Sequence, residues 1–151
     1  MSSVTNEKIG KRILGAWKLV SWVFINESGE EVKFFGQQPK GILIYHDSGY
    51  MSVQIAREER QDFASQGIDA GTKEEMAEAF KTYLSYYGRY EEAEPGVFVH
   101  SVEGTLFPNW LKHKETRIAE LQEDVLMLST PPTPTSTGNV VFKITWKKIM
   151  N

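Results

Sequence analysis

The last strand-length segment of the chain has an alternation that most constrains the fold. Its apolar side chains stand at every second position, with polar or basic residues between several of them: Val140, Phe142, Ile144 and Trp146. A period of two puts all four on one face of a β-strand. The segment therefore predicts a β-sheet with one buried face.

Similar segments recur along the whole chain. Tyr50–Ala56 alternates in the same way, and Asp47-Ser48-Gly49 before it is typical of a hairpin turn. The pattern predicts eight or nine strands, at 17–25, 31–35, 41–46, 50–56, 89–92, 97–107, 113–121, 125–128 and 140–146. Residues 57–71 and the proline-rich segment 131–134 are expected to be loops.

One helix is expected between the fourth and fifth strands. Thr72 and Glu75 have the spacing of a capping box, and the residues that follow are apolar at helical spacing. The pattern predicts a helix over about 73–87, ended by Gly88. A second, short N-terminal helix is predicted over residues 5–13.

The order of these elements predicts an all-β single domain, residues 1–151. A meander of this size has unpaired edges unless it closes into an antiparallel barrel of eight to ten strands. An open sheet packed on the helix is the alternative. A barrel of this size has room inside for side chains or one small ligand.

Composition limits the function classes. The net charge is −3, which argues against a nucleic-acid partner. The chain has no cysteine, so disulfides and thiolate sites are excluded. We expect no membrane partner, and a cytoplasmic location, because no apolar run has the length of a signal or transmembrane segment. The three histidines lack metal-ligand spacing, and no nucleotide-binding motif occurs, so we expect no cofactor or metal.

Several short motifs occur in a fixed order along residues 13–147. They are Gly15-x-Trp17-x-Leu19-x-Ser21, Gly41-x-Leu43-x-Tyr45, Tyr87-Gly88-x-Tyr90-Glu91 and His100-x-Val102-Glu103-Gly104-x-Leu106-Phe107-Pro108-Asn109-Trp110. Together they resemble the lipocalin-like domain family of small, mostly bacterial and fungal, single-domain proteins.

The resemblance implies a calycin-type barrel with an internal cavity. Lipocalin-like barrels of natural-product pathways include cofactor-free cyclases and pericyclases, so the resemblance leaves the activity open. The chain departs from the intracellular fatty-acid-binding proteins, whose last strands carry an Arg-x-Tyr pair for a carboxylate. Here the last strand reads Lys143-Ile144-Thr145-Trp146-Lys147.

Three residues are candidates for catalysis. His100 lies among apolar residues and has the proton affinity for acid–base work near neutral pH. Glu103 is three positions on, so it faces the same side only if a bulge intervenes. Tyr45 offers a hydroxyl beside apolar residues. A core or surface position is the structural alternative for each.

A second set of residues is expected to contact a ligand, either as apolar wall or as polar groups at a strand end: Met51, Phe80, Tyr87, Tyr90, Phe107, Asn109, Trp110 and Arg117. The helix at 73–87 is expected to cover the mouth of the barrel, with packing on the outer wall as the alternative. Trp17 is expected to pack across the closed end beneath a basic side chain. Both faces of 97–107 and 113–121 mix apolar and polar residues, so the pattern leaves their inward face undetermined.

Two functions are consistent with these features. The leading hypothesis is binding of a small, largely apolar or aromatic molecule inside the barrel. The alternative is a cofactor-independent isomerase or cyclase of pericyclase type, and the sequence leaves open whether the protein is an enzyme. An interaction protein would need a filled interior. A homodimer could form through the edge of the strand at 31–35.

Overall fold

The computed structural model describes residues 7–150, and antiparallel strands account for most of them. The strands are β1 (Gly15–Ile25), β2 (Glu31–Lys33), β3 (Lys40–Tyr45), β4 (Tyr50–Ala56), β5 (Tyr83–Glu94), β6 (Val97–Thr105), β7 (Lys114–Gln122), β8 (Val125–Ser129), β9 (Thr133–Thr135) and β10 (Gly138–Lys148). Helix α1 (Lys73–Lys81) lies between β4 and β5, and a 3₁₀ turn (Pro108–Trp110) follows β6.

Pairing between the first and last strands closes the sheet into a barrel. β1 runs antiparallel to β10, from Trp17 opposite Lys148 to Ile25 opposite Val141. The remaining barrel strands follow in the order β3 to β8, so eight strands form the wall. β2 pairs with the C-terminal end of β1, and β9 pairs with the N-terminal end of β10. The predicted antiparallel barrel with one inserted helix is confirmed.

The helix is shorter than predicted. The capping box of Thr72 and Glu75 is present, but α1 ends at Lys81 rather than at 87. The Thr82 hydroxyl donates to the carbonyl oxygen of Glu78, and the following residues pair with β4, from Tyr83 opposite Ala56. Tyr83 and Tyr87, which helical spacing had assigned to the helix, are therefore residues of β5. No helix within residues 7–150 is long and apolar enough to cross a bilayer.

Two other segments differ from expectation. The proline-rich loop contains the short strand β9, which is compatible with Pro134 because β9 is the outermost strand of the sheet. The predicted N-terminal helix is a single turn where it is described, with Arg12 N and Ile13 N donating to the Ile9 oxygen. Its first two residues, 5 and 6, lie outside the described part of the chain.

The N-terminal turn closes one end of the barrel. Ile13 and Trp17 are almost fully buried there, and the Trp17 indole donates to the Ile13 oxygen. Lys148 Nζ lies 4.9 Å from the centre of the Trp17 ring, as predicted for a basic side chain over this tryptophan. The Glu92 carboxylate accepts hydrogen bonds from the backbone amides of Ile9, Gly10 and Gly96, and so fixes the turn to the barrel.

A bulge on β6 shapes the opposite wall. Tyr87 pairs with Gly104 and Gly88 with Val102, so Glu103 has no direct partner on β5. Gly88 sits against this bulge, where any Cβ would collide with the Ser101 carbonyl oxygen. The close approach of β5 and β6 therefore requires glycine at position 88.

Candidate functional site

A cavity of about 210 Å³ lies inside the barrel. Its walls follow the two-residue period of the strands, as in the pairs Val53 and Ile55 on β4, and Ile144 and Trp146 on β10. The cavity reaches β9, where Pro134 and Thr135 are exposed. Most lining side chains are aliphatic or aromatic: Trp22, Phe34, Leu43, Val53, Ile55, Leu84, Tyr86, Trp110, Leu128, Phe142, Ile144 and Trp146.

Aromatic rings form the wall where the cavity meets β2. The rings of Trp22 and Phe34 are 4.7 Å apart, and Phe142 lies 5.5 Å from Phe34. Tilted and edge-on contacts of this kind stabilise a rigid aromatic surface. The cluster supplies an apolar wall against which a ring compound can pack.

A buried network of three side chains forms the polar part of the site. The Tyr45 hydroxyl lies 2.7 Å from His100 Nε2, and the Tyr86 hydroxyl lies 2.7 Å from His100 Nδ1. All three residues are at most 3% exposed. His100 and Tyr86 line the cavity, whereas Tyr45 stands behind His100. Both imidazole nitrogens are occupied by phenols, so His100 has no free nitrogen to act directly on a ligand.

We assign the Nδ1–H tautomer to His100. A neutral imidazole has one donor and one acceptor nitrogen. Within residues 7–150 the Tyr45 hydroxyl has His100 as its hydrogen-bond partner, so its proton is satisfied only by donating to Nε2. Nδ1–H then donates to the Tyr86 oxygen. His100 then leaves the Tyr86 proton unused, with the Arg117 guanidinium and the Glu115 carboxylate close to the same hydroxyl.

Burial keeps all three groups neutral. Burial, with a smaller contribution from the charge of Arg117, holds the pKa of His100 well below its usual value. Burial raises the pKa of Tyr45 well above its usual value, and it raises that of Tyr86 against the opposing charge of Arg117. The network therefore holds protons at fixed atoms near neutral pH.

Arg117 and Glu115 are the charged residues of the cavity wall. Both side chains point inward from β7, and Arg117 Nη1 lies 3.8 Å from the Glu115 carboxylate. Arg117 Nη1 also donates to the Thr116 carbonyl oxygen at 2.9 Å. The two residues form an internal pair with no net charge, of which Arg117 is the more deeply buried.

Two cavity-lining tryptophans carry unpaired donors. The indole nitrogens of Trp22 and Trp146 are buried and have no hydrogen-bond partner among residues 7–150. Buried polar groups in folded proteins are nearly always paired. The indole of Trp17, by contrast, donates to the Ile13 oxygen.

Comparison with known proteins agrees with this architecture. The model of a lipocalin-like domain matches residues 14–149. The chain belongs to the lipocalin-like domain family. A relative of this lipocalin-like protein is the 4'-hydroxy-3'-methoxypropiophenone carrier protein ppsC of Aspergillus oryzae. The two are 32% identical over 107 residues, which cover 66% of this chain and 96% of the relative.

Four of the residues singled out in the sequence belong to this lipocalin-like cavity or its network. His100, Trp110 and Arg117 line the cavity, and Tyr45 contacts His100. Trp110 also packs on Tyr86, with ring centres 5.8 Å apart. The structure thus brings together one residue from each of β3, β6 and β7 with the 3₁₀ turn after β6.

Three expected strand residues lie outside the cavity lining. Tyr87 is half exposed because it is adjacent to the inward-facing Tyr86 and so points outward. Tyr90 packs edge-on against Tyr45, and its hydroxyl donates to the His46 oxygen. Met51 is buried in the core without lining the cavity.

Glu103 lies on the outer surface of the barrel. The bulge predicted as a condition for its facing inward is present, but the Glu103 carboxylate accepts from the Tyr50 hydroxyl at 3.3 Å and lies 3.9 Å from Arg89. It is therefore separated from His100 by the wall.

Helix α1 and the aromatic residues near it pack outside the cavity lining. No residue of α1 lines the cavity. Phe80 packs on Phe107, with ring centres 6.5 Å apart, and Phe107 packs on Trp110 at 5.4 Å. Asn109 is exposed. Of the residues expected around the mouth, Trp110 alone reaches the cavity, because the 3₁₀ turn directs its ring inward.

Most residues of the cavity wall were not singled out from the sequence as site residues, among them Trp22, Tyr86, Glu115 and Trp146. The sequence pattern did indicate an inward position for Trp146, since it shares the apolar face of the last strand with Ile144. Tyr86 was assigned to the helix, and the inward face of β7 was undetermined. Among residues 7–150 no group of three or more histidine or acidic side chains is arranged to hold a metal.

Proposed function

We propose that this protein binds a small, largely apolar or aromatic molecule inside its barrel. The observation that carries the proposal is the cavity of about 210 Å³, with walls that are mostly aliphatic and aromatic. A dry apolar cavity of about 150 Å³ is enough to bind benzene. A single ring with short substituents is therefore the size of ligand we expect.

The relative supports carriage as the role. Its name describes a carrier of a small substituted aromatic compound, and the alignment covers nearly its whole length. The wall of Trp22, Phe34 and Phe142 offers a surface on which an aromatic ring would pack. We therefore favour a binding and transport role for a ring compound.

The cellular location and the pairing of two copies are also proposals. The chain has no cysteine, as suits a reducing compartment, and we propose a cytoplasmic protein. We propose the edge of β2 as the surface through which two copies pair. Cell fractionation and sedimentation of the purified protein test these two points.

A cavity-blocking variant tests the binding function. Leu84→Trp places a large ring in the cavity, whereas Ile118→Trp places one on the outer surface of β7. We expect native mass spectrometry of protein incubated with a cell extract to show a bound apolar compound for the wild type and Ile118→Trp. Leu84→Trp should lose it. If the wild type recovers no such compound, the proposal fails.

Proton-transfer catalysis, as in a cofactor-independent isomerase or cyclase, is a second candidate. The Tyr86 hydroxyl favours it, because this group receives a hydrogen bond from His100 and faces the cavity near a cation. Tyr86 would give its proton to a ligand carbonyl oxygen while the Glu115 carboxylate removes a carbon-bound proton. In D₂O an aromatic ketone should then gain deuterium beside its carbonyl. An unchanged exchange rate in Tyr86→Phe would exclude this route.

A further inference from the structure

Strand β2 (Glu31–Lys33) leaves one of its edges unpaired. It is the outermost strand at its end of the sheet, and β1 is its neighbour. An unpaired edge presents backbone donors and acceptors that a further strand can use. Within residues 7–150 no strand occupies this edge, so the residues along it decide what can pair there.

The hydrogen bonds on either side of β2 show which backbone groups point outward. Before β2, the amide of Asn26 donates to the oxygen of Glu30. After β2, the amide of Phe34 donates to the oxygen of Trp22. In an antiparallel pair, residues that bond to the neighbouring strand alternate with residues whose backbone groups point away from it. Val32 is therefore the residue of β2 that bonds to β1.

Glu31 and Lys33 present their backbone N–H and C=O groups at the free edge. Neither the backbone groups nor the charged side chains of these two residues have a partner in the described part of the chain. Both side chains are exposed and lie on the same face of the strand, because successive residues alternate between faces. The edge thus offers free backbone groups beside one charge of each sign.

The charges of this edge select a second copy of β2 in one register. When two copies run antiparallel with Val32 opposite Val32, Glu31 of each copy lies opposite Lys33 of the other. Each facing pair then exchanges both of its backbone hydrogen bonds and brings opposite charges together. Sliding one strand along the other places Glu31 opposite Glu31, or Lys33 opposite Lys33. Like charges directly opposite each other are destabilising.

We infer that two copies of the protein pair through β2 in this register, around a two-fold axis at Val32. The inference rests on the proposed pairing through the edge of β2, and it adds the register and the charges that select it. The contact is isologous, because each copy supplies the same residues. A short, charged edge discourages pairing with other strands, whereas the order of its charges makes it complementary to itself.

The paired strands lie beside the cavity. Phe34 follows Lys33 directly and belongs to the aromatic wall of the cavity. Phe34 is on the same face of the chain as Val32 and about 7 Å along the strand from the axis. The second copy therefore stands next to the wall on which we propose that the ligand packs, and pairing holds β2 in place there.

Exchange of the edge charges tests the register. Glu31→Lys leaves two positive charges on the edge, and Lys33→Glu leaves two negative charges. Each variant alone opposes like charges, so sedimentation equilibrium should show pairing at least about tenfold weaker than in the wild type. An equimolar mixture of the two variants should pair again, because every facing pair then has opposite charges.

Two substitutions on another strand are the matched controls. Glu120→Lys and Lys114→Glu make the same changes in net charge at exposed positions of β7, away from β2. Both should pair as strongly as the wild type. Since all four substitutions are at exposed positions, the fold should be retained in each, and circular dichroism checks this.

Backbone amide signals of the wild type locate the contact. As the protein concentration rises, the amide protons of Glu31 and Lys33 should move downfield, because they gain hydrogen bonds. The amide of Val32 already points at β1 and is the internal control. Proton–nitrogen correlation spectra of a dilution series measure these shifts.

The outcomes distinguish this inference from the proposed function. If the wild type pairs but the mixture of variants does not, or if each variant alone pairs as strongly as the wild type, the register is overturned. Unchanged Glu31 and Lys33 amide signals in a dimer overturn it as well. If the wild type remains monomeric at every soluble concentration, the proposed pairing fails and the inference fails with it. Ligand binding in the cavity is measured separately and stands in each of these cases.

Discussion

The Tyr45 hydroxyl and His100 Nε2 are 2.7 Å apart in a region from which solvent is almost excluded. Each group supplies what the other lacks, because the phenol donates and the imidazole nitrogen accepts. Tyr45 comes from β3 and His100 from β6, so this bond crosses the interior between strands that are not neighbours in the sheet.

Removal of the Tyr45 hydroxyl should destabilise the fold. Tyr45→Phe leaves the His100 acceptor buried and unpaired, which costs about 1–3 kcal/mol in the free energy of unfolding. Urea denaturation measures the loss. Tyr50→Phe is the control, because the Tyr50 hydroxyl makes a longer bond of 3.3 Å to Glu103 at the surface. Equal losses in the two variants would contradict a special role for the buried bond.

Stability should fall as the pH drops below about 6.5. The pKa of His100 is held well below its usual value, so the unfolded chain takes up a proton there before the folded chain does. In the pH range between the two pKa values, this residue adds a slope of about 1.4 kcal/mol per pH unit to the unfolding free energy. His100→Gln should flatten that part of the pH profile. An unchanged profile in the variant would assign the effect to other groups.

Gly88→Ala should be among the most damaging small substitutions in the chain. The added Cβ would meet the Ser101 carbonyl on the neighbouring strand, and backbone cannot move aside without disrupting the β5–β6 pairing. We expect a loss of at least about 3 kcal/mol in unfolding free energy.

Gly104→Ala is the matched control for this prediction. Its Cβ would meet the ring of Tyr87, which is half exposed and can rotate away. We expect a loss of about 1 kcal/mol or less. Thermal denaturation of the two variants side by side compares them, and similar melting temperatures would refute the backbone collision.

Glu92→Gln should loosen the N-terminal turn. The carboxylate accepts from three backbone amides, and an amide side chain cannot replace both of its oxygens as acceptors. We expect a loss of about 2 kcal/mol, with faster hydrogen exchange at Ile9 and Gly10. Glu91→Gln, on the neighbouring exposed residue, should change neither quantity. Unaltered exchange in Glu92→Gln would show that the turn is held by other contacts.

Strand patterning predicted the barrel well because it depends on local periodicity. The alternation of Tyr50–Ala56 predicts β4 with both of its observed ends. The alternation from Val140 to Trp146 predicts the core of β10, and three of the four residues of that face line the cavity. In such segments the burial of one face contributes most to stability, and the alternation of apolar and polar residues in the sequence shows which face is buried.

The helix and the site were harder to predict because non-local contacts decide them. Tyr83 and Tyr87 have helical spacing, yet pairing with β4 makes them strand residues, and Tyr86 then faces the cavity. The inward face of Glu115 and Arg117 depends on the register of β7 with β6, which mixed side chains do not encode. The Tyr45–His100–Tyr86 network joins β3 to the later hairpin of β5 and β6, and no spacing rule anticipates it.

The capped base formed by Ile13, Trp17 and Lys148 has a kinetic consequence. Because these described residues close one end of the barrel, a bound molecule would pass toward the other end, where β2, β9 and the 3₁₀ turn lie. Uptake and release then cross the same barrier. A change at that rim outside the cavity lining, such as a bulkier residue at Asn109, should slow arrival and escape together and leave the equilibrium affinity nearly constant. Residence time could thus be adjusted without rebuilding the interior.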